Sequence, residues 1–116
     1  MMQKQKLSPL IVALDVPDAV QALKIVDRLS AEIDVFKIGL GLFTKEGPEI
    51  VDEIIRRGKK VFVDLKLHDI PNTVTAALEN LIRPGVEFVT VHGLGGREML
   101  ASAAIVAARF GGQNPK

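Results

Sequence analysis

Val61–Phe62–Val63–Asp64–Leu65, followed from about Pro71 to Ile82 by a helical pattern, is the unit on which the fold is read. The first five residues are apolar and β-branched except for the aspartate at position four, so they predict a short strand buried on both faces. In the segment that follows, Val74, Ala77, Leu78, Leu81 and Ile82 recur at helical spacing and form one apolar stripe, which Pro84–Gly85 then ends. The same alternation runs outward in both directions. Leu10–Ile11–Val12–Ala13–Leu14 precedes a helix over Ala19–Leu29, and Val35–Phe36–Lys37–Ile38–Gly39 precedes one around Pro48–Arg57. On the other side, Glu87–Phe88–Val89–Thr90–Val91 precedes a helix from about Arg97 to Arg109. Strand starts near 10, 35, 61 and 87 give a repeat of roughly 25 residues.

Helix boundaries carry their own chemistry. Asp18, with Gln21 three residues on, resembles a capping box. Pro48 suits a first helical position, and Gly58 after Arg56–Arg57 a stop. Successive strand–helix units imply parallel strands joined by right-handed crossovers. An open doubly wound sheet and a (β/α)₈ barrel both meet these conditions, and periodicity does not separate them.

Composition narrows the function classes. The 116 residues allow one domain with a core; 47% apolar and 25% charged is the balance of an ordinary globular protein. The absence of Cys rules out thiolate chemistry and disulfides, which suits the cytoplasm. A formal charge of +1 gives no basis for a nucleic-acid or membrane surface. Apolar runs of about five residues are too short for a membrane span, and Met1–Leu7 has no apolar stretch of a signal peptide.

The polar residues gather at the carboxyl ends of the strands: Asp15, Lys37, Asp64 with Lys66, and His92 with Gly93. In α/β barrels that end carries the active site. Asp64 and Lys66 are two apart on one strand, so both should project to the same side, as should Phe62. Unlike charges there, with Asp69 three residues on, are costly to bury unless paired. Each residue also has a plain structural reading. Asp15 can start the turn before Pro17; Lys37 can extend its ammonium to solvent; Asp69 and Thr73 can cap a helix; His92 can be a satisfied structural histidine. Gly93, Gly95 and Gly96 make a turn able to bind an anion at a helix start, a weak pattern alone. What favours a site is that four strands deliver charge to one rim.

Asp64–Leu65–Lys66–Leu67–His68–Asp69–Ile70–Pro71–Asn72–Thr73 resembles the D-x-K-x-x-D-I-P-N-T signature of the orotidine 5′-monophosphate decarboxylases. Ala13–Leu14–Asp15, Phe36–Lys37–Ile38–Gly39 and Val89–Thr90–Val91–His92–Gly93 match further family segments in order, so the resemblance extends from about Pro9 to Phe110. It implies an α/β fold of the (β/α)₈ TIM-barrel family with the first four βα units present. It divides the chain into a tail (1–8), a half-barrel (9–110) and a polar tail (111–116). It also implies decarboxylation of orotidine 5′-monophosphate to UMP, without metal or cofactor, by a homodimer in the cytoplasm. In this reading Lys37, Asp64, Lys66 and Asp69 form an alternating charged row, with Asp69 coming from the other subunit. Lys66 donates a proton to C6, and Asp64 lies near the substrate carboxylate. Asp15 and Lys37 hold the ribose hydroxyls, Ile70 and Thr73 cross the subunit interface with Asp69, and His92 counts among the substrate-binding candidates.

The family pattern continues with four further strands bearing a pyrimidine-contacting Ser or Thr, a Gln-bearing loop and a phosphate-gripping Arg, none of which is in this sequence. The expectation is that the isolated chain decarboxylates weakly or not at all, and that a partner or a second copy closes the sheet. Two rivals are Mg²⁺-dependent keto-sugar phosphate decarboxylases or hexulose phosphate synthases of the same scaffold, and a non-catalytic half-barrel that serves for association. Ile70–Pro71–Asn72–Thr73 after Asp69 is not expected of the first rival.

Overall fold

Short β-branched runs and capped amphipathic segments alternate along the chain, and each run finds the next as its neighbour. The structure, a computed structural model, describes residues 6–110; the expected tail at 111–116, and residues 1–5 of the one at 1–8, lie outside the described residues. The elements are β1 (Ile11–Ala13), α1 (Ala19–Arg28), β2 (Val35–Gly39), α2 (Leu40–Glu46), α3 (Glu49–Arg56), β3 (Lys60–Leu67), α4 (Pro71–Leu81), β4 (Val86–Val91), a 3-10 turn (Gly93–Gly95) and α5 (Arg97–Arg109). All three strand pairings are parallel and the order is β1-β2-β3-β4. Strands laid down consecutively in one direction are the order of a barrel, whereas a doubly wound sheet reverses direction partway. The topology thus decides between the two architectures that periodicity left open.

Register sorts the side chains onto two faces. Phe36, Ile38, Val61 and Val63 are fully buried beneath the helices, against Ala22, Val26, Leu42, Ile50 and Ile54. The opposite face carries Ala13, Lys37 and Phe62 in register, and Phe62 stacks obliquely on Phe88 with ring centroids 5.3 Å apart. This face is only half-covered, as Ile11 at 42% exposure shows, so burial on both faces of the strands holds for the helix side alone. A second cluster joins α4 and α5 through Val74, Leu78, Met99, Ala103 and Val106. Among the described residues no helix is long and apolar enough to cross a membrane.

Local chemistry explains most boundaries. The Asp18 carboxylate accepts the Gln21 N–H at 2.9 Å and starts α1. At the end of α3, Gly58 takes the left-handed conformation (φ 79°) that lets the chain turn back. Gly85 (φ 101°) does the same before β4, where an added Cβ would lie 2.7 Å from Ile55. Two details differ from the sequence reading. Pro48 caps α3, which begins at Glu49, and the short helix α2 was not anticipated. Its Gly41 and only seven residues leave no apolar period to read.

Candidate active site

The decisive feature is a break in the ladder between β3 and β4. Val63 pairs with Val89 and Leu67 with Val91, so four steps along β3 correspond to two along β4. Asp64, Leu65 and Lys66 therefore bulge opposite Thr90 alone. Bulges of this kind re-aim side chains beside active sites. Within the bulge Lys66 has φ 50°, the one positive φ at a non-glycine residue among those described. Holding a side-chain-bearing residue there costs on the order of 1–3 kcal/mol and requires support from its surroundings.

The bulge brings three charges together. Asp64, only 8% exposed, is the buried charged residue of the described chain. Lys66 Nζ donates to Asp64 Oδ1 and Oδ2 at 3.0 and 2.9 Å, and Lys37 Nζ on β2 lies 3.3 Å from Oδ2. Thr90 Oγ1 donates to Oδ1 at 2.8 Å. A carboxylate has about four acceptor sites, so Asp64 is saturated. Burial works against its ionised form, but the hydrogen bonds from Lys66, Thr90 and Lys37, with the Lys66 charge, outweigh that and hold the carboxyl below the ordinary aspartate range. Two ammonium groups thus share one carboxylate, an arrangement ready to receive further negative charge. Lys66 is 65% exposed along its side chain.

The remaining sequence candidates occupy the same rim without joining this cluster. Asp15 follows β1, with its Oδ1 3.7 Å from where a Cβ on Gly39 would stand. The Asp69 carboxylate accepts its neighbour's Ile70 N–H at 2.7 Å, and the Asp64–Lys37 and Asp64–Lys66 ion pairs do not include it. Ile70 is 66% exposed and Thr73 is exposed as well. His92 Nδ1 accepts the Leu94 N–H at 3.1 Å, and its ring stacks on His68 at 4.8 Å. Thr90 is the residue that sequence reasoning passed over. It is the polar side chain in an otherwise apolar stretch from Phe88 to Val91, and that was the available clue.

Comparison with known proteins identifies the family. The family model described as "Orotidine 5'-phosphate decarboxylase / HUMPS family" matches residues 8–114. The chain is 54% identical over 97 residues to an orotidine 5'-phosphate decarboxylase of Carboxydothermus hydrogenoformans, covering 84% of this chain and 40% of that protein. With the enzyme of the same name from Moorella thermoacetica it shares 53% over 95 residues, 82% of this chain and 38% of the relative. Among solved structures, orotidine 5'-monophosphate decarboxylase from Methanocaldococcus jannaschii, complexed with the inhibitor BMP, superposes with a TM-score of 0.81 at 32% identity. That match covers 90% of this chain and 49% of the other. The chain spans about two fifths of the length of the curated relatives it matches. It belongs to the orotidine 5′-phosphate decarboxylase / HUMPS family.

Proposed function

We propose that the chain supplies the lysine-bearing part of an orotidine 5′-monophosphate decarboxylase site. The observation that carries this reading is the saturated Asp64 carboxylate between Lys37 and Lys66, at the carboxyl end of the strands. The C6–carboxylate bond of the substrate breaks, CO₂ leaves, and the electron pair stays on C6. Lys66 then gives its proton to C6, forming UMP, and the neutral amine regains a proton from water. A cationic cluster fixed before the reaction stabilises the developing carbanion without reorganising, commonly the largest contribution to catalysis. Asp64 faces the departing carboxylate, and Asp15 and Lys37 bind the ribose, with His92 at the edge of the substrate site.

A homodimer in the cytoplasm completes this proposal. Asp69, Ile70 and Thr73 reach the site of a second copy. Their exposure, and the position of Asp69 outside the ion pairs among the described residues, support that role. The sequence after Asp69, together with the names of the relatives, favours orotidine monophosphate over keto-sugar phosphates. The test is turnover of orotidine 5′-monophosphate by the intact protein, followed by loss of absorbance. Activity unaffected by chelators and lowered at least ~10³-fold by Lys66→Ala is expected. Near-normal turnover in Lys66→Ala, or abolition by a chelator, overturns the reading.

A further inference from the structure

The Thr90 hydroxyl both donates and accepts a hydrogen bond. It has one proton to give and lone pairs to accept with. The Lys66 backbone N–H can only donate and lies 3.0 Å from Oγ1, so the hydroxyl accepts there. Its own proton is then directed at Asp64 Oδ1, 2.8 Å away. One side chain on β4 therefore ties down both unusual features of β3: the left-handed backbone of Lys66 and the buried carboxylate of Asp64. It does so from the single β4 position opposite the bulge.

We infer that Thr90 is a positioning residue, whose hydroxyl fixes the backbone of Lys66 and the carboxylate orientation of Asp64 so that the two charges meet the substrate in one geometry. The inference rests on the decarboxylase reading for its consequence in turnover. Its structural half stands on the two hydrogen bonds. A residue acting in this way supports the transition state more than substrate binding, so its loss lowers kcat while KM changes little.

The experiment compares Thr90→Val, close to threonine in volume, with Thr90→Ser, which keeps the hydroxyl, in the intact protein. Titration of the Asp64 carboxyl carbon by NMR is read beside steady-state turnover. Thr90→Val is expected to move the Asp64 midpoint to higher pH, because a hydrogen bond to the ionised form is lost. It should also lower kcat by ~10- to 100-fold, in the range of a hydrogen bond to a charged group, with KM within about threefold. Thr90→Ser should restore both. An unmoved midpoint in Thr90→Val, or a serine variant as impaired as the valine one, overturns the assignment. Thr90→Ala gives the same readout should the valine variant not fold. Absence of turnover in the parent protein, assayed with the partner that closes its sheet, brings down the decarboxylase reading instead, and the titration still decides the role of Thr90.

Discussion

The two ends of the sheet each hold a lysine network, and they are built to different rules. At the amino end Lys59, 11% exposed along its side chain, donates to the Ser30 carbonyl at 2.5 Å and faces Asp34 at 3.9 Å. Asp34 in turn accepts the Ser8 N–H at 2.5 Å. One cation meets one anion, both lie in connections, and neither residue has a positive φ. At the carboxyl end two lysines share one aspartate, the strand bulges, and Lys66 sits in a strained conformation. The first arrangement closes on itself. The second leaves positive charge and an open face, which is how a site differs from a brace.

Replacing Lys66 by Ala should separate the two ends most clearly. Turnover of orotidine monophosphate is expected to fall at least ~10³-fold, equal to about 4 kcal/mol of barrier, while denaturant unfolding weakens by about 1–2 kcal/mol, because the buried Asp64 carboxylate loses two hydrogen bonds and keeps those from Lys37 and Thr90. Asp64→Asn comes next, with turnover down by roughly 10²-fold and stability at pH 7 down by about 1–2 kcal/mol. This loss should depend on pH. The folded-state carboxyl titrates below its unfolded value, so its contribution is present above about pH 4 and vanishes as pH falls through the folded value. Parent and variant unfolding curves, measured at a series of pH values, should therefore converge in acid; a constant gap would break the link between burial and charge at this end.

The amino end predicts the reverse pattern. Lys59→Met should cost about 1–2 kcal/mol in urea unfolding and leave kcat within twofold, since the group it leaves behind is a partly exposed aspartate and a carbonyl. The smallest effect belongs to Asp18→Ala, a rim carboxylate that caps α1: about 1 kcal/mol of stability. Its kcat should be unchanged by the same assay. A large kcat effect there would blur the division, because Asp18 lies at the functional end without belonging to the charged cluster.

How far the sequence foretold these ends differs for a physical reason. The repeat of strand and helix was legible because burial imposes a period, and so were the positions of Lys37, Asp64 and Lys66 at one rim. The pairing of Asp64 with Lys66 was anticipated from strand parity, but the structure reaches it through a bulge that breaks simple alternation. Nothing in composition announces that bulge: a lysine at positive φ looks like any other lysine, whereas a glycine there would have signalled it. Thr90 escaped for a related reason. Its role depends on a residue 26 positions away, a pairing that only the register reveals.

The consecutive strand order also governs how the chain can assemble. Each of β2, β3 and β4 docks on the strand made just before it, so none of these three pairings waits for a distant segment, an order that favours rapid formation of this part of the sheet from its amino-terminal side during synthesis. As β3 emerges it can meet β2, bringing Asp64 to Lys37 at once. The hydroxyl that steadies the bulge arrives only with β4, one unit later. Between those moments the nascent rim has its charges matched but its lysine backbone still free to rearrange.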